Sequence, residues 1–228
     1  MQPYFAPYIG YWQLLNYVDE FIVYDDVNFI KRGWINRNIL SYGGEEHYAT
    51  VPLLRASQNK KINEITLEPN ARWREKLLKT LSRSFARARY LDDGLEVAEA
   101  IVSYESSRLD DFLMNQIRVV SAYLKIKTKI FSSAQSFENQ SLTGESRILD
   151  ICKQRGANTY INAIGGKQLY SQVEFARNEI GLLFLRSRFS DRLRQITQDC
   201  PHCSLLQLVC VLGREELRQE LDEFTIEQ

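Results

Sequence analysis

The sequence has few of the residues that most often announce chemistry. It holds two histidines, His47 and His202, in 228 residues. A Ser-His-Asp or Cys-His arrangement needs a histidine oriented by a carboxylate. Asp26 or Glu46 could serve His47, but nothing in the spacing pairs them, and an exposed hairpin histidine is the simpler reading. The four cysteines, Cys152, Cys200, Cys203 and Cys210, all fall late in the chain, from residue 152 on, which excludes the disulfide framework of a small secreted domain. Net charge is absent as well: 29 Lys and Arg balance 29 Asp and Glu. No overall basic field exists to gather nucleic acid or an anionic membrane. No apolar run approaches the roughly 18–20 residues that cross a bilayer, so no integral membrane segment is expected. The start lacks a basic stretch followed by an apolar one, which points to the cytoplasm. Repeats of about 20–50 residues and low-complexity tracts are lacking too.

What is present suits a folded chain, with 44% hydrophobic and 25% charged residues, as in ordinary globular domains. The pattern reads as one domain over 1–228 in three parts. Residues 1–69 read as α/β. Pro3 and Pro7 keep the start irregular, Tyr11 to Val18 suits a short helix, and Glu20-Phe-Ile-Val-Tyr-Asp reads as a buried strand ended by acids. Trp34 to Ser41 and His47 to Leu53 flank a Gly-Gly pair, a β-hairpin signal, and Ile62 to Leu67 suits a further strand. Residues 70–124 read as a helical insertion of three helices, over Asn70 to Phe85, Gly94 to Tyr104 and Arg108 to Leu124. In residues 125–228 strands return at Thr128–Ser132, Thr159–Asn162 and Gly181–Leu185. A helix runs between Thr143 and Gly156, and a helical tail from Ser204 breaks at Gly213. Strands separated by helices predict a mainly parallel sheet.

Several short stretches carry candidate chemistry. Asp25-Asp26 closes a strand, where open α/β sheets bind ligands, and could serve as a base or hold an ammonium group. Neighbours on a strand point to opposite faces, so one of the two faces a given site. Lys31-Arg32-Gly33-Trp34-Ile35-Asn36-Arg37 combines cations that clamp an anion with an aromatic that stacks on a base or sugar. Gly165-Gly166-Lys167, between a strand and a helix, offers amides to an anion, with Asn162 just ahead. The P-loop spacing is not met. Cys200-Pro-His-Cys203 matches the tetrapeptide of thiol oxidants but sits too late in the chain for that fold. As a zinc site, with Cys210 included, it lacks a second ligand pair. A loop with partly buried thiols is the expected reading, and no metal ligands are assigned.

The stretches QPYFAPYIGYWQLL, FIVYDDVNFIKRGWINRNIL, VPLLRASQNKKINEI and TYINAIGGKQLY resemble the WbqC-like protein family in register from the start to the tail. The resemblance implies a role in O-antigen or other bacterial surface-polysaccharide synthesis, with glycine transfer to an amino sugar as the suggested activity. Members usually carry β-forming residues ahead of the QPYF stretch, so the first strand is expected to be truncated here. A more distant resemblance runs to nucleotidyltransferases and pantoate–β-alanine ligases. There Tyr8-Ile-Gly-Tyr11 stands where a His-x-Gly-His pattern would be, followed by Asp19-Glu-Phe-Ile-Val. It implies a nucleotidyltransferase-like, Rossmann-like sheet. ATP is a conceivable cofactor on that likeness, although tyrosine cannot replace the histidines.

These readings converge on a transferase or ligase acting on a nucleotide- or lipid-linked amino sugar. The pocket is expected from Gln2, Tyr4, Tyr8, Gly10 and Tyr11, with Phe5 and Ile9 packing inward. Lys31, Arg32, Trp34, Asn36 and Arg37 hold the ligand's anionic and ring groups. Ser57, Gln58 and Asn59 line the rim, Asn162, Gly165, Gly166 and Lys167 add polar contacts, and Asp25 or Asp26 is the catalytic acid–base. The alternative is a non-catalytic nucleotide-sugar-binding or scaffold protein that serves a glycosyltransferase.

Overall fold

A computed structural model describes residues 1–70, 72–197 and 200–228. The chain opens with an irregular segment and α1 (Ile9–Tyr17), then β1 (Glu20–Ile22), the hairpin β2 (Arg37–Tyr42) and β3 (Glu45–Thr50), and the short strands β4 (Leu53–Leu54) and β5 (Thr66–Leu67). Three helices follow: α2 (Arg72–Ser84), α3 (Leu91–Val102) and α4 (Leu109–Tyr123). After β6 (Lys129–Phe131) come α5 (Gly144–Arg155), β7 (Thr159–Ala163), α6 (Gln172–Arg177), β8 (Gly181–Ser187), α7 (Asp191–Ile196), α8 (Leu205–Glu220) and β9 (Phe224–Glu227).

The fold is mixed α/β with small sheets. β1 pairs in parallel with β6, from Glu20 opposite Lys129 to Ile22 opposite Phe131. β7 pairs in parallel with β8, and β9 closes that second sheet antiparallel to β8. Parallel pairing therefore occurs in two separate sheets, and the remaining pairs, β2–β3 and β4–β5, are antiparallel. The hairpin turns on Gly43 and Gly44, whose φ values of 65° and 79° lie in the left-handed region that glycine reaches without a Cβ penalty.

Local chemistry explains most element boundaries. α5 ends at Gly156, at φ 63°, a left-handed cap that satisfies the last carbonyls. α8 breaks at Gly213, where φ 68° and ψ −176° leave the helix. Two expectations need correction. Ile62 to Leu67 begins as a 3-10 turn over Ile62–Glu64, and only Thr66–Leu67 is extended. The tail does not stay helical, because Phe224–Glu227 finds an open edge of β8 to pair with.

The main core joins the N-terminal segment, the three central helices and α8, with Phe5, Trp12, Phe112, Ile117, Leu208 and Cys210 among its fully buried members. A second, smaller core under β7 and β8 contains Phe175 and Phe184. α1 packs on β7 and β8, and α8 on α3.

Candidate functional site

The irregular start is fixed by buried polar groups on three other elements. Gln116 of α4, fully buried, accepts from the Ala6 amide at 2.7 Å and donates to the Tyr4 carbonyl at 2.9 Å. Asn38 of β2 donates to the carbonyls of Phe5 (3.0 Å) and Ala6 (2.9 Å). Ser204, just before α8, donates to the Ala6 carbonyl at 3.0 Å. These contacts hold Ala6 at φ 41°, a backbone conformation an alanine keeps only when its surroundings over-determine it.

The segment splits between core and surface. Phe5, Ile9 and Trp12 are fully buried, and Tyr11 at 1% exposure packs edge-on against Trp12 and Phe21. Tyr11 therefore belongs to the packing, and burial pushes its hydroxyl well above the usual tyrosine range. Gln2, Tyr4 and Tyr8 stay partly exposed, the Tyr4 hydroxyl lying 3.5 Å from Gln2 Oε1. Gly10 is where α1 meets the end of β8: a Cβ there would fall 2.1 Å from Ser187 Oγ and 2.4 Å from the Tyr8 ring.

Asp25 and Asp26 follow β1 and are both buried, at 1% and 3% exposure, so they are not a solvated turn. Both lie in the irregular segment after β1, which ends at Ile22, and their surroundings differ. Asp25 Oδ1 accepts from Ser133 Oγ at 2.8 Å and from the Ala134 amide at 3.1 Å. Burial pushes the Asp25 carboxyl above its ordinary range, against the pull of these two donors. Asp26 faces α5: Arg147 Nη2 donates to its Oδ2 at 2.5 Å. Arg147 also donates to Asn139 Oδ1 at 2.9 Å and lies over the Tyr24 ring at 4.9 Å. Asp26 Oδ1 is buried without a hydrogen-bond partner among the described residues.

Beside this cluster runs a groove of about 680 Å³ between β1 and β7, within the size range of small-molecule sites. The β1 edge opposite β6 and the β7 edge opposite β8 line it, with Leu14, Ile148, Ile151 and Leu183 as apolar wall. Met1 crosses one end. Its ammonium donates to the Ile22 carbonyl at 2.6 Å, and the Tyr24 amide donates to the Met1 carbonyl at 2.8 Å. This is the bonding of a parallel ladder. Burial pushes the ammonium down to about 5, with Asp25 as the charge opposing that shift.

The other expected residues lie apart. Of them all, only Asn162 lines the groove. Lys31, Arg32 and Trp34 are surface residues near the hairpin, but Arg37 donates to the Arg32 carbonyl and sits 4.2 Å over Tyr48, and Asn36 donates to the Val51 carbonyl at 2.9 Å. Ser57, Gln58 and Asn59 form a turn that joins the Asn28 side of the same surface, Phe29 donating to the Lys60 carbonyl. Gly165 and Gly166 lie inside a 3-10 turn over Ile164–Leu169, so they do not present the amide crown of a long helix. Lys167 is held by the Gln228 carbonyl. Sequence reasoning missed Gln116, Asn38, Ser133 and Arg147. The last two reach Asp25 and Asp26 across more than a hundred residues, which no local pattern signals.

The fold and this cluster define a mixed α/β protein with a buried carboxylate pair where its first parallel strand ends. The chain belongs to the WbqC-like protein family, whose model matches residues 2–219. It is similar to the uncharacterized protein Rv1507c of Mycobacterium tuberculosis, 29% identical over 168 residues that cover 71% of this chain and 70% of that protein. No solved structure matches the chain.

Proposed function

We propose that the chain is a transferase or ligase that acts on the amino group of a nucleotide- or lipid-linked amino sugar in surface-polysaccharide synthesis, with glycyl or another aminoacyl group as the one moved. The observation that carries this reading is the division of labour between Asp25 and Asp26. Asp25 is a buried carboxyl with a raised proton affinity, suited to take the proton from a sugar ammonium so that its nitrogen can attack the carbonyl carbon of an activated acyl donor, whose leaving group departs with the electrons of the acyl bond. Asp26 is fixed by Arg147 and keeps a buried, unpartnered Oδ1, an acceptor for an amine or hydroxyl hydrogen. The partly exposed Tyr4 and Tyr8 supply flat faces for a sugar or base, and Lys31 and Arg32 supply cations for its phosphates.

The second reading, a nucleotide-sugar-binding protein that serves a glycosyltransferase, is favoured by the burial of Tyr11. That removes one of the two positions at which ATP-using relatives in the wider resemblance offer a histidine. One experiment separates the two. The protein is incubated with labelled glycine, ATP and UDP- or dTDP-linked amino sugars, and sugar mass and calorimetric binding are both read. A mass gain of one glycyl residue supports the transferase; binding without mass gain under every acyl donor overturns it and leaves the binding reading.

A further inference from the structure

The turn before α8 meets the β2–β3 hairpin in a cluster that the carboxylate site does not use. Glu46 of β3 lies 3.3 Å from His202 Nε2 through its Oε1, and the same oxygen is 3.6 Å from Cys200 Sγ. Cys200 Sγ is 3.9 Å from His202 Nε2. The three donor atoms therefore form a triangle, all within 4.8 Å of one another.

We propose that Glu46, Cys200 and His202 bind one divalent cation of the zinc class, which clasps the hairpin to the start of α8. The edges of the triangle carry the argument. Zinc bonds of about 2.3 Å to sulfur and about 2.0–2.2 Å to nitrogen or oxygen, set at tetrahedral angles, require ligand separations of about 3.4–3.6 Å. The observed separations of 3.3, 3.6 and 3.9 Å bracket that range. The donor set of thiolate, imidazole and carboxylate is that of a borderline-soft cation. An ion pair alone would leave the thiol without purpose, and with Glu46 and His202 about half exposed such a pair contributes little.

The turn is built to aim the thiol. Cys200 donates its amide to the Thr197 carbonyl at 3.0 Å, and Cys203 donates to the Cys200 carbonyl at 3.1 Å. Cys203 is fully buried, its thiol hydrogen-bonded to that of Cys200, and Cys200 is 5% exposed. The exposed side of the triangle leaves a fourth position for water, as in zinc sites with an open coordination place. His47, the neighbour of Glu46, is stacked on Tyr42 at 4.0 Å and takes no part. Cys152 and Cys210 are buried elsewhere, with thiols pushed up to about 11 and about 12. The second ligand source that the sequence lacked is Glu46, 154 positions from Cys200.

The test uses Co²⁺, whose bond to a thiolate gives a charge-transfer absorption. Full-length protein, freed of metal with a chelator and kept reduced by a phosphine, is titrated with Co²⁺ and then with Zn²⁺. The expected result is one equivalent of cobalt with a thiolate band, displaced by Zn²⁺ and accompanied by release of the Cys200 proton. Cys200→Ser abolishes the band. The surface changes Glu46→Gln and His202→Gln each weaken binding by at least about tenfold, while Cys152→Ser leaves it unchanged. At the same concentration, Zn²⁺ raises the melting temperature of the parent chain by more than that of Glu46→Gln. No thiolate band in the parent chain, or unchanged affinity in both surface variants, overturns the site.

Discussion

The Arg147 guanidinium and the Asp26 carboxylate meet at 2.5 Å with both side chains nearly out of water, at 4% and 1% exposure. Breaking such a pair strands a buried charge, which typically costs about 3–5 kcal/mol. Arg147→Met is expected to lower the free energy of unfolding by that amount in urea titrations. Asp26→Asn with Arg147→Met removes both charges and is expected to recover a large part of the loss. A double variant no more stable than the single one would show that Asp26 is not the group Arg147 compensates.

The Gly10 backbone sits where α1 touches the end of β8, and there is no room for a methyl group. Gly10→Ala puts a Cβ 2.1 Å from Ser187 Oγ, an overpacking expected to cost about 1–3 kcal/mol. Ser187→Ala in the same chain removes that oxygen and is expected to return part of the loss, the remainder coming from the Tyr8 ring. Chemical denaturation of the single and double variants reads the coupling directly.

Features set by a few neighbouring residues were legible in the sequence. Gly43-Gly44 dictates the hairpin turn, Gly156 ends α5, and Leu109, Phe112, Ile117 and Val120 place one face of α4 in the core. Asp25 and Asp26 stood out in the sequence because acids follow an apolar strand there, but their burial and their partners did not. What could not be read is pairing at long range. Arg147 looks like any cation on a helix until α5 is laid beside Asp26. Phe224–Glu227 looks like a frayed helix end until β8 offers an edge. Tyr11 reads as a pocket tyrosine beside Pro7 and Gly10, yet α1 turns it under Phe21. Buried Gln116 and Asn38 have no sequence signal either, because their partners are main-chain groups of the opening segment.

The Met1 ammonium makes a ladder bond that a peptide amide makes equally well. Burial lowers it from 8.0 to about 5, so between these values the folded state holds fewer protons than the unfolded one and stability rises with pH. The three-unit shift corresponds to at most about 4 kcal/mol, gained as pH climbs from 5 to 8. A chain with Thr-Val placed ahead of Met1 has an amide there and is expected to lack this dependence. Its added residues would lie along the free β1 edge in the groove, slowing exchange of the Ile22 amide. Urea unfolding of the two chains at both pH values, with hydrogen exchange, checks this; parallel pH curves would contradict it.

The Asp25 carboxyl is where stability and activity should part company. Its proton affinity is raised by burial from 3.8, so the folded state holds its proton longer than the unfolded chain does. The stabilising contribution is therefore full below the unfolded value and lost as pH rises through the folded one. Asn in its place still accepts from Ser133 Oγ and the Ala134 amide, and carries no charge to desolvate. Asp25→Asn is accordingly expected to be at least as stable as the parent at neutral pH, with the advantage shrinking as pH falls toward 4. If Asp25 is the base that frees the sugar amine, the same variant loses about 10²–10⁴-fold in glycyl transfer while amino-sugar nucleotide binding is kept. Ser133→Ala, which removes one donor from Asp25 Oδ1, should raise the pH at which transfer reaches half its maximum. A variant that loses stability and transfer together would instead mark Asp25 as a structural acid of the β1–β6 junction.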